Sequence, residues 1–509
     1  MNCIVILCDT LRADHCGAYH RGRKMNKCWS AEQPDWLVPT PNMDRIAARG
    51  TVFENAWCGS SPCMPARRDI YTGRYEFLER GWGPLAETDL DLPRQISGEP
   101  NHSLHKMKKQ DLRISGLVTD HFHLWEDGSG NYHMGYTGFE FIRGQEADNW
   151  RTDPIEFPCP PQFVDSPLER HYRHAALFRK EEKDWFAAQV FTKAGEWLDA
   201  NHTHENFYLH IDCFCPHEPW DPPEELVKMF DPRGYENNQG IPAGVYDKWA
   251  KHMSASDLRN TQARYAAQVV LTDRWLGKFL DKMDEYNLWE NTVLIFTSDH
   301  GTFNGDHGRI GKMQTHLHDA TGHIPFIVAH PQFGHGERRN QLVQLVDIYP
   351  TVLAAVDRPC PPDRHGVNLL PVLEDPDAHT RGWALSGVFG KSVSITDGEW
   401  ILHQSPLENN KPLYWYDYCW SRFFPGIELG NFQDGRREAI MQSWPTETWL
   451  SHKTEDFNEL ENLAEKQPEK LREMQRILQQ QLQQIGAPPE QIGRLGIDGI
   501  FERTCRHRK

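Results

Sequence analysis

Cys3-Ile4-Val5-Ile6-Leu7-Cys8, followed at once by Asp9-Thr10, reads as a strand buried on both faces that stops in a polar turn. The same pattern recurs at Ile114 to Thr119, Phe207 to Cys213, Thr292 to Ser298 and Ile324 to Ala329. Between these runs lie helical stretches. Glu181 to Ala200 puts Trp185, Phe186, Val190, Phe191, Trp197 and Leu198 at helical spacing, and Leu258 to Tyr286 does so with Tyr265, Val269, Leu276, Phe279 and Leu280. Strands alternating with helices predict an α/β fold with a large, mainly parallel sheet flanked by helices.

The strand ends lead into Asp9-Thr10, Asp120-His121-Phe122-His123, Pro216-His217-Glu218-Pro219 and Asp299-His300-Gly301. Ligands of open α/β sheets bind beyond the carboxyl ends of the strands, so these four clusters are expected to converge on one edge. Near residue 380 the pattern changes. Ser392 to His403 and Leu413 to Phe424 suggest an antiparallel meander, and Pro468 to Ile485 a helix with Leu471, Met474, Leu478 and Leu482 on one face. The expected division is therefore an α/β catalytic part over 1–380 and a smaller C-terminal antiparallel sheet plus helix over 381–509.

Bulk properties narrow the function. A chain of 509 residues exceeds one hydrophobic core. The net charge of −17 argues against nucleic acid, which needs a basic face, but leaves room for a small anion bound by a few focused cations. No apolar run approaches the ~20 residues that span a bilayer. The first strand has no basic segment before it, so a cytoplasmic location is expected, with the scattered cysteines reduced.

Cys63-Met64-Pro65-Ala66-Arg67 is the sharpest local signal. Alone, it could be a turn cysteine beside a proline. Its neighbours add weight: Thr40-Pro41-Asn42-Met43-Asp44-Arg45 and Gly50-Thr51-Val52-Phe53-Glu54-Asn55-Ala56 before it, Tyr71-Thr72-Gly73 after it, then Val346-Asp347-Ile348-Tyr349-Pro350-Thr351 and Gly366-Val367-Asn368-Leu369-Leu370-Pro371. In this order the segments resemble the sulfatases of the alkaline phosphatase superfamily, over roughly residues 2 to 375. Glu461-Asn462-Leu463-Ala464 echoes the family's C-terminal subdomain. Ala66, where Ser is usual, is similar to the related phosphonate monoester hydrolases.

The resemblance implies a metal-dependent hydrolase of sulfate esters whose nucleophile is a formylglycine made from Cys63 by a formylglycine-generating enzyme. It implies one divalent metal on Asp9, Asp299, His300 and residue 63. Calcium is the family's usual ion, while the imidazole also admits manganese or zinc. Thr10 departs from the second Asp that many sulfatases carry. Lys312 matches the lysine that contacts the substrate anion, and His217 the histidine that binds the anion or protonates the leaving group. His123 matches a partner of the nucleophile, His121 stands in for a lysine, and Arg67 belongs to the oxidation motif. His307, His316, His318 and His323 are expected to be structural or pocket residues.

The implied substrate is a small anionic ester, a sulfated sugar or an aryl sulfate. Ala66, Thr10 and His300 keep open the alternative of a phosphonate monoester or phosphodiester hydrolase. A binding protein with unmodified Cys63 is a third possibility, opposed by the retained metal and lysine positions.

Overall fold

The computed structural model describes residues 1–20, 37–86, 88–98, 113–126, 129–236, 245–312, 315–419, 427–441 and 447–498. Its main sheet has eight strands: β1 (Asn2–Cys8), β2 (Gly50–Trp57), β3 (Ser115–Thr119), β4 (Gly138–Phe141), β5 (Tyr208–Cys213), β6 (Thr292–Thr297), β7 (Phe326–Ala329) and β8 (Glu337–Gln344). They lie side by side in the order β8-β2-β7-β6-β1-β5-β3-β4. Every neighbouring pair is parallel except the two made by β7, which runs antiparallel to both β2 and β6. The apolar run at Ile324 to Ala329 carries no mark of its direction. β7 follows a connection from β6 that doubles back along the same edge.

β1 is central, and its residues alternate between two cores. Ile4, Ile6 and Cys8 face one core together with Leu209, Ile211, Leu294 and Phe296. Cys3, Val5 and Leu7 face the other with Tyr208, Val293 and Ile295. The period of two along a strand explains why the run is apolar at every position. Each fully buried aliphatic side chain stabilises the fold by about 1.5–3 kcal/mol.

On the first face pack α2 (Phe186–Asn201) and α3 (Ala255–Glu285). α3 starts at Ser254, whose hydroxyl accepts from the main-chain N–H of Asp257 in a capping box. On the second face lie α1 (Cys63–Thr72) and α4 (Ile348–Ala355). α1 ends at Gly73, whose positive φ of 67° suits a left-handed cap.

A four-stranded antiparallel sheet follows, made of β9 (Ala384–Gly387), β10 (Val393–Thr396), β11 (Trp400–Gln404) and β12 (Trp449–His452). α5 (Pro468–Gln484) covers it with Met474, Leu478 and Leu482. That core also takes in Tyr75, Phe77, Leu78 and Val346 from the larger part of the chain. The expected strand character of Leu413 to Phe424 is met at Tyr414–Trp415, and residues 420–424 lie outside the described residues. No described helix is long and apolar enough to cross a membrane.

Candidate active site

Three strand ends and one helix start meet at the carboxyl edge of the sheet. Asp9 follows β1 and Asp299 follows β6 by two residues, while Cys63 opens α1, reached from the end of β2. Thr10 holds a left-handed φ of 64°, costly for a β-branched residue. This turn lets its main-chain N–H donate to Asp299 Oδ1 (2.9 Å) and its hydroxyl to Asp9 Oδ1 (2.6 Å). Gly301 leaves no room for a side chain, since a Cβ there would lie 2.2 Å from the carbonyl oxygen of Ala320.

Cys63 Sγ lies 3.7 Å from Asp9 Oδ1, 3.3 Å from His300 Nε2 and 3.4 Å from Lys312 Nζ. Burial, then the charge of Asp9, pushes the Cys63 thiol well above its ordinary range, against the pull of Lys312. An unmodified Cys63 is thus a poor thiolate. Its place at the start of a helix favours negative charge on an incoming group.

Arg67, one turn into α1, is fully buried. It donates through Nε and Nη2 to both oxygens of Asp212 (2.7 and 2.6 Å), and through Nη1 to Asp299 Oδ2 (2.9 Å) and the carbonyl of Cys63 (3.1 Å). The same Nη1 is 3.0 Å from Asp9 Oδ2. Asp212 was not singled out among the candidates above, although a carboxylate inside the mainly apolar Phe207 to Cys213 run was a visible signal.

The donor set fits a divalent cation. Ligand atoms of Asp9, Cys63, Asp299 and His300 all lie within 4.8 Å of one another, about twice a metal–ligand bond of ~2.0–2.6 Å. His300 Nδ1 is 2.8 Å from the carbonyl of Gly301, which can only accept, so the proton sits on Nδ1. Nε2 therefore presents its lone pair toward Asp299 Oδ2 (3.4 Å) and Cys63. Nε2 and Asp299 Oδ2 face each other without a proton between them, which calls for a cation.

A second buried group, His318, His403 and Glu459, behaves differently. Glu459 Oε2 is 2.8 Å from His318 Nδ1 and 2.6 Å from His403 Nε2, ordinary hydrogen-bond distances. Lys453 donates to the other oxygen at 3.0 Å. This is a closed hydrogen-bond network. His316 stacks on His403, ring centroids 5.1 Å apart, and bonds Ser392 and the carbonyl of Glu447, while His323 reaches the carbonyl of Glu54.

The remaining candidates surround Cys63 and Asp9. Lys312 also reaches Thr10 Oγ1 (3.3 Å). Although burial opposes its charge, the neighbouring Cys63, Glu218, Tyr246 and Asp9 hold its pKa well above the ordinary value. His121 Nε2 lies 3.3 Å from Asp9 Oδ2, and burial followed by Arg67 pushes the ring well below its ordinary pKa. His123 pairs with Glu126 (2.7 Å) and Glu146 (3.3 Å), which outweigh burial and raise its pKa. Its ring stands edge-on to Trp82, centroids 4.9 Å apart. His217 donates from Nδ1 to the carbonyl of Glu218 (2.6 Å) and packs 4.1 Å from the ring of Phe214.

The chain is similar to several known proteins. Arylsulfatase K of Rattus norvegicus is 24% identical over 404 residues, which cover 72% of this chain and 66% of that one. The human arylsulfatase K is 24% identical over 66% of this chain and 62% of its own. The chain thus matches slightly under two thirds of the length of these relatives. A multifunctional alkaline phosphatase superfamily protein of Trinickia caryophylli is 26% identical, covering 74% and 77%. Two solved structures share the fold at a TM-score of 0.63. One is a phosphonate monoester hydrolase of Agrobacterium radiobacter (19% identity; 95% of each chain), and the other a protein in complex with its substrate D-glucosamine-2-N,6-O-disulfate (15%; 96% and 98%). The family model described as Sulfatase matches residues 1–357, and the chain belongs to the sulfatase family.

Proposed function

We propose that the protein is a sulfuric ester hydrolase that works through a formylglycine at position 63 and one divalent cation on Asp9, Asp299, His300 and residue 63. The observation that carries this is the ring around Cys63 Sγ: Lys312 at 3.4 Å, His300 Nε2 at 3.3 Å and Asp9 Oδ1 at 3.7 Å. The cation would supply Lewis-acid stabilisation of negative charge, and the modified residue an oxygen nucleophile in place of a thiol. Lys312 binds the ester's anionic oxygens. Arg67 fixes Asp9, Asp299 and the start of α1 relative to one another. His217 gives a proton to the departing alcohol from Nε2, the ring nitrogen that the Glu218 carbonyl leaves uncommitted. His123, close to His121, receives a proton when the covalent ester is released. The substrate is a sulfated sugar or an aryl sulfate, and a formylglycine-generating enzyme is the partner that prepares residue 63.

The test is hydrolysis of matched aryl sulfate, phosphonate and phosphodiester substrates by protein whose tryptic peptide shows an aldehyde at residue 63. Turnover of the sulfate by aldehyde-bearing protein, and none by protein holding only the thiol, is the expected result. Full activity with the free thiol overturns it. A phosphonate monoester or phosphodiester hydrolase is the second reading, favoured by the imidazole of His300 in the ligand set and by Thr10. Preference for the phosphonate in the same assay would select it.

A further inference from the structure

Glu218 follows His217 and is equally buried, yet the reaction outlined above gives it no part. Its Oε1 accepts from the Tyr246 hydroxyl at 2.9 Å. Its Oε2 has no hydrogen-bond partner among the described residues and lies 3.5 Å from His217 Nδ1. A carboxylate oxygen buried without a donor is expensive unless positive charge stands nearby. Two such charges are available. Lys312 interacts with Glu218 across the site, and His217 is adjacent.

The hydrogen bonding of His217 sharpens the point. The Glu218 carbonyl at 2.6 Å can only accept, so Nδ1 carries a proton in either charge state of the ring. Nε2 is then bare in the neutral ring. To donate a proton from Nε2, the ring must be the imidazolium, and a cation in so dry a place needs a counter-charge. Oε2 of Glu218 is that counter-charge, on the side of the ring away from Nε2.

We propose that Glu218 is a positioning residue for proton donation to the leaving group: it holds His217 with Nε2 uncommitted and carries the negative charge that stabilises its imidazolium. This rests on the assignment of His217 as the proton donor made above. The proton balance is simple. The imidazolium Nε2–H bond breaks as the alcohol O–H bond forms, while Nδ1–H stays on the carbonyl. Glu218 remains ionised throughout, and Tyr246 fixes its carboxylate.

The test uses kcat/KM for esters of graded leaving-group pKa with the metal-loaded, aldehyde-bearing enzyme. Glu218→Gln keeps the shape and an oxygen for Tyr246 but removes the charge. It is expected to lose at least about tenfold on alkyl or sugar esters and under about threefold on an activated aryl ester, within the range of general acid catalysis. In a His217→Ala background the same change should cost nothing further, because the ring it serves is gone. Tyr246→Phe is expected to show a weaker form of the same leaving-group dependence, and guards against a folding defect peculiar to Glu218→Gln. A uniform loss at every leaving group, or a full additional loss in the His217→Ala background, overturns the proposal. If His217→Ala itself shows no leaving-group dependence, the assignment of His217 fails first and Glu218 falls with it. If His217→Ala shows the dependence and Glu218→Gln does not, only the role of Glu218 is lost.

Discussion

Lys312 Nζ stands 3.4 Å from the Sγ of Cys63, so a buried ammonium touches the residue expected to attack the substrate. The lysine directly follows a short strand, Arg309–Gly311, and the residue opens a helix, Cys63–Thr72. Lys312 stays charged because anionic neighbours outweigh its burial. In the mechanism proposed above, this fixed cation acts on the anionic group common to every substrate, whatever the alcohol. Lys312→Ala is therefore expected to lower kcat/KM by about 2–4 kcal/mol of transition-state stabilisation, as for a lost oxyanion donor. The loss should be the same for good and poor leaving groups. A leaving-group dependence that steepens in this variant would move the proton-donating role from His217 to Lys312.

Metal content gives a second prediction. Asp299→Asn keeps an oxygen for the N–H groups of Thr10 and His300, which it now accepts at 2.9 and 2.8 Å, and removes one of two carboxylate charges. Elemental analysis should find one divalent ion per wild-type chain and far less in the variant, with activity falling in step. A second stoichiometric ion would mean that the His318, His403 and Glu459 network opens to bind metal. Unchanged metal in Asp299→Asn would remove Asp299 from the ligand set.

Much of this was legible in the sequence because its signals are local. The β1 run and its Asp9 stop, the Cys63 to Arg67 motif and the Asp299-His300 pair each declare themselves within a few residues. The landmark segments turn out to touch one another. Asp347 accepts from the main-chain N–H of Val367 (2.8 Å), and a Cβ on Gly366 would sit 1.9 Å from the carbonyl oxygen of Val346. Asp273 likewise accepts from the N–H groups of Asn42 and Met43. What the sequence hid is non-local. β2 and β8 have mixed burial, β4 is largely exposed, and none of the three shows a continuous apolar run. The pairing of Arg67 with Asp212 spans 145 positions, and no spacing rule connects them. His318 could be read as structural, but its bond to Glu459 across 141 positions could not.

Acid sensitivity is a third prediction. Burial, with Arg67 second, lowers the pKa of His210 to about 3, and burial, with Arg179 second, does the same for His174. In the unfolded chain both rings protonate near 6.5. Between about 6.5 and about 3 the unfolded state binds more protons, so stability is complete above that window and falls as the pH drops through it. Each ring contributes a slope of about 1.4 kcal/mol per pH unit. Urea unfolding at pH 7 and pH 5 should differ by at least about 2 kcal/mol, the acid sample being weaker. Equal stability at the two pH values would mean that these rings are protonated in the native state.

The final prediction concerns Glu459, which joins the small sheet to the large part of the chain. It is fully buried and holds a left-handed φ of 56°, a conformation its surroundings must enforce. One oxygen accepts from the main-chain N–H of Asp319 (2.9 Å) and from Lys453; the other meets His318 and His403. His403 lies on β11 and His318 six positions after Lys312, so this carboxylate ties the segment that carries Lys312 to the C-terminal sheet. Despite burial, Lys453 and the two histidines keep Glu459 ionised, its pKa well below the ordinary value. Glu459→Gln leaves Lys453 with Asp319 as its carboxylate partner among the described residues and should destabilise the protein by about 3–5 kcal/mol, the cost of breaking a buried pair. Lys453→Met added to it should cost further, because buried Asp319 then loses the ammonium it is paired with. Denaturant unfolding of the single and double variants measures the coupling. A change within about 0.5 kcal/mol for Glu459→Gln would place Glu459 among ordinary surface substitutions and deny it any role in joining the two parts.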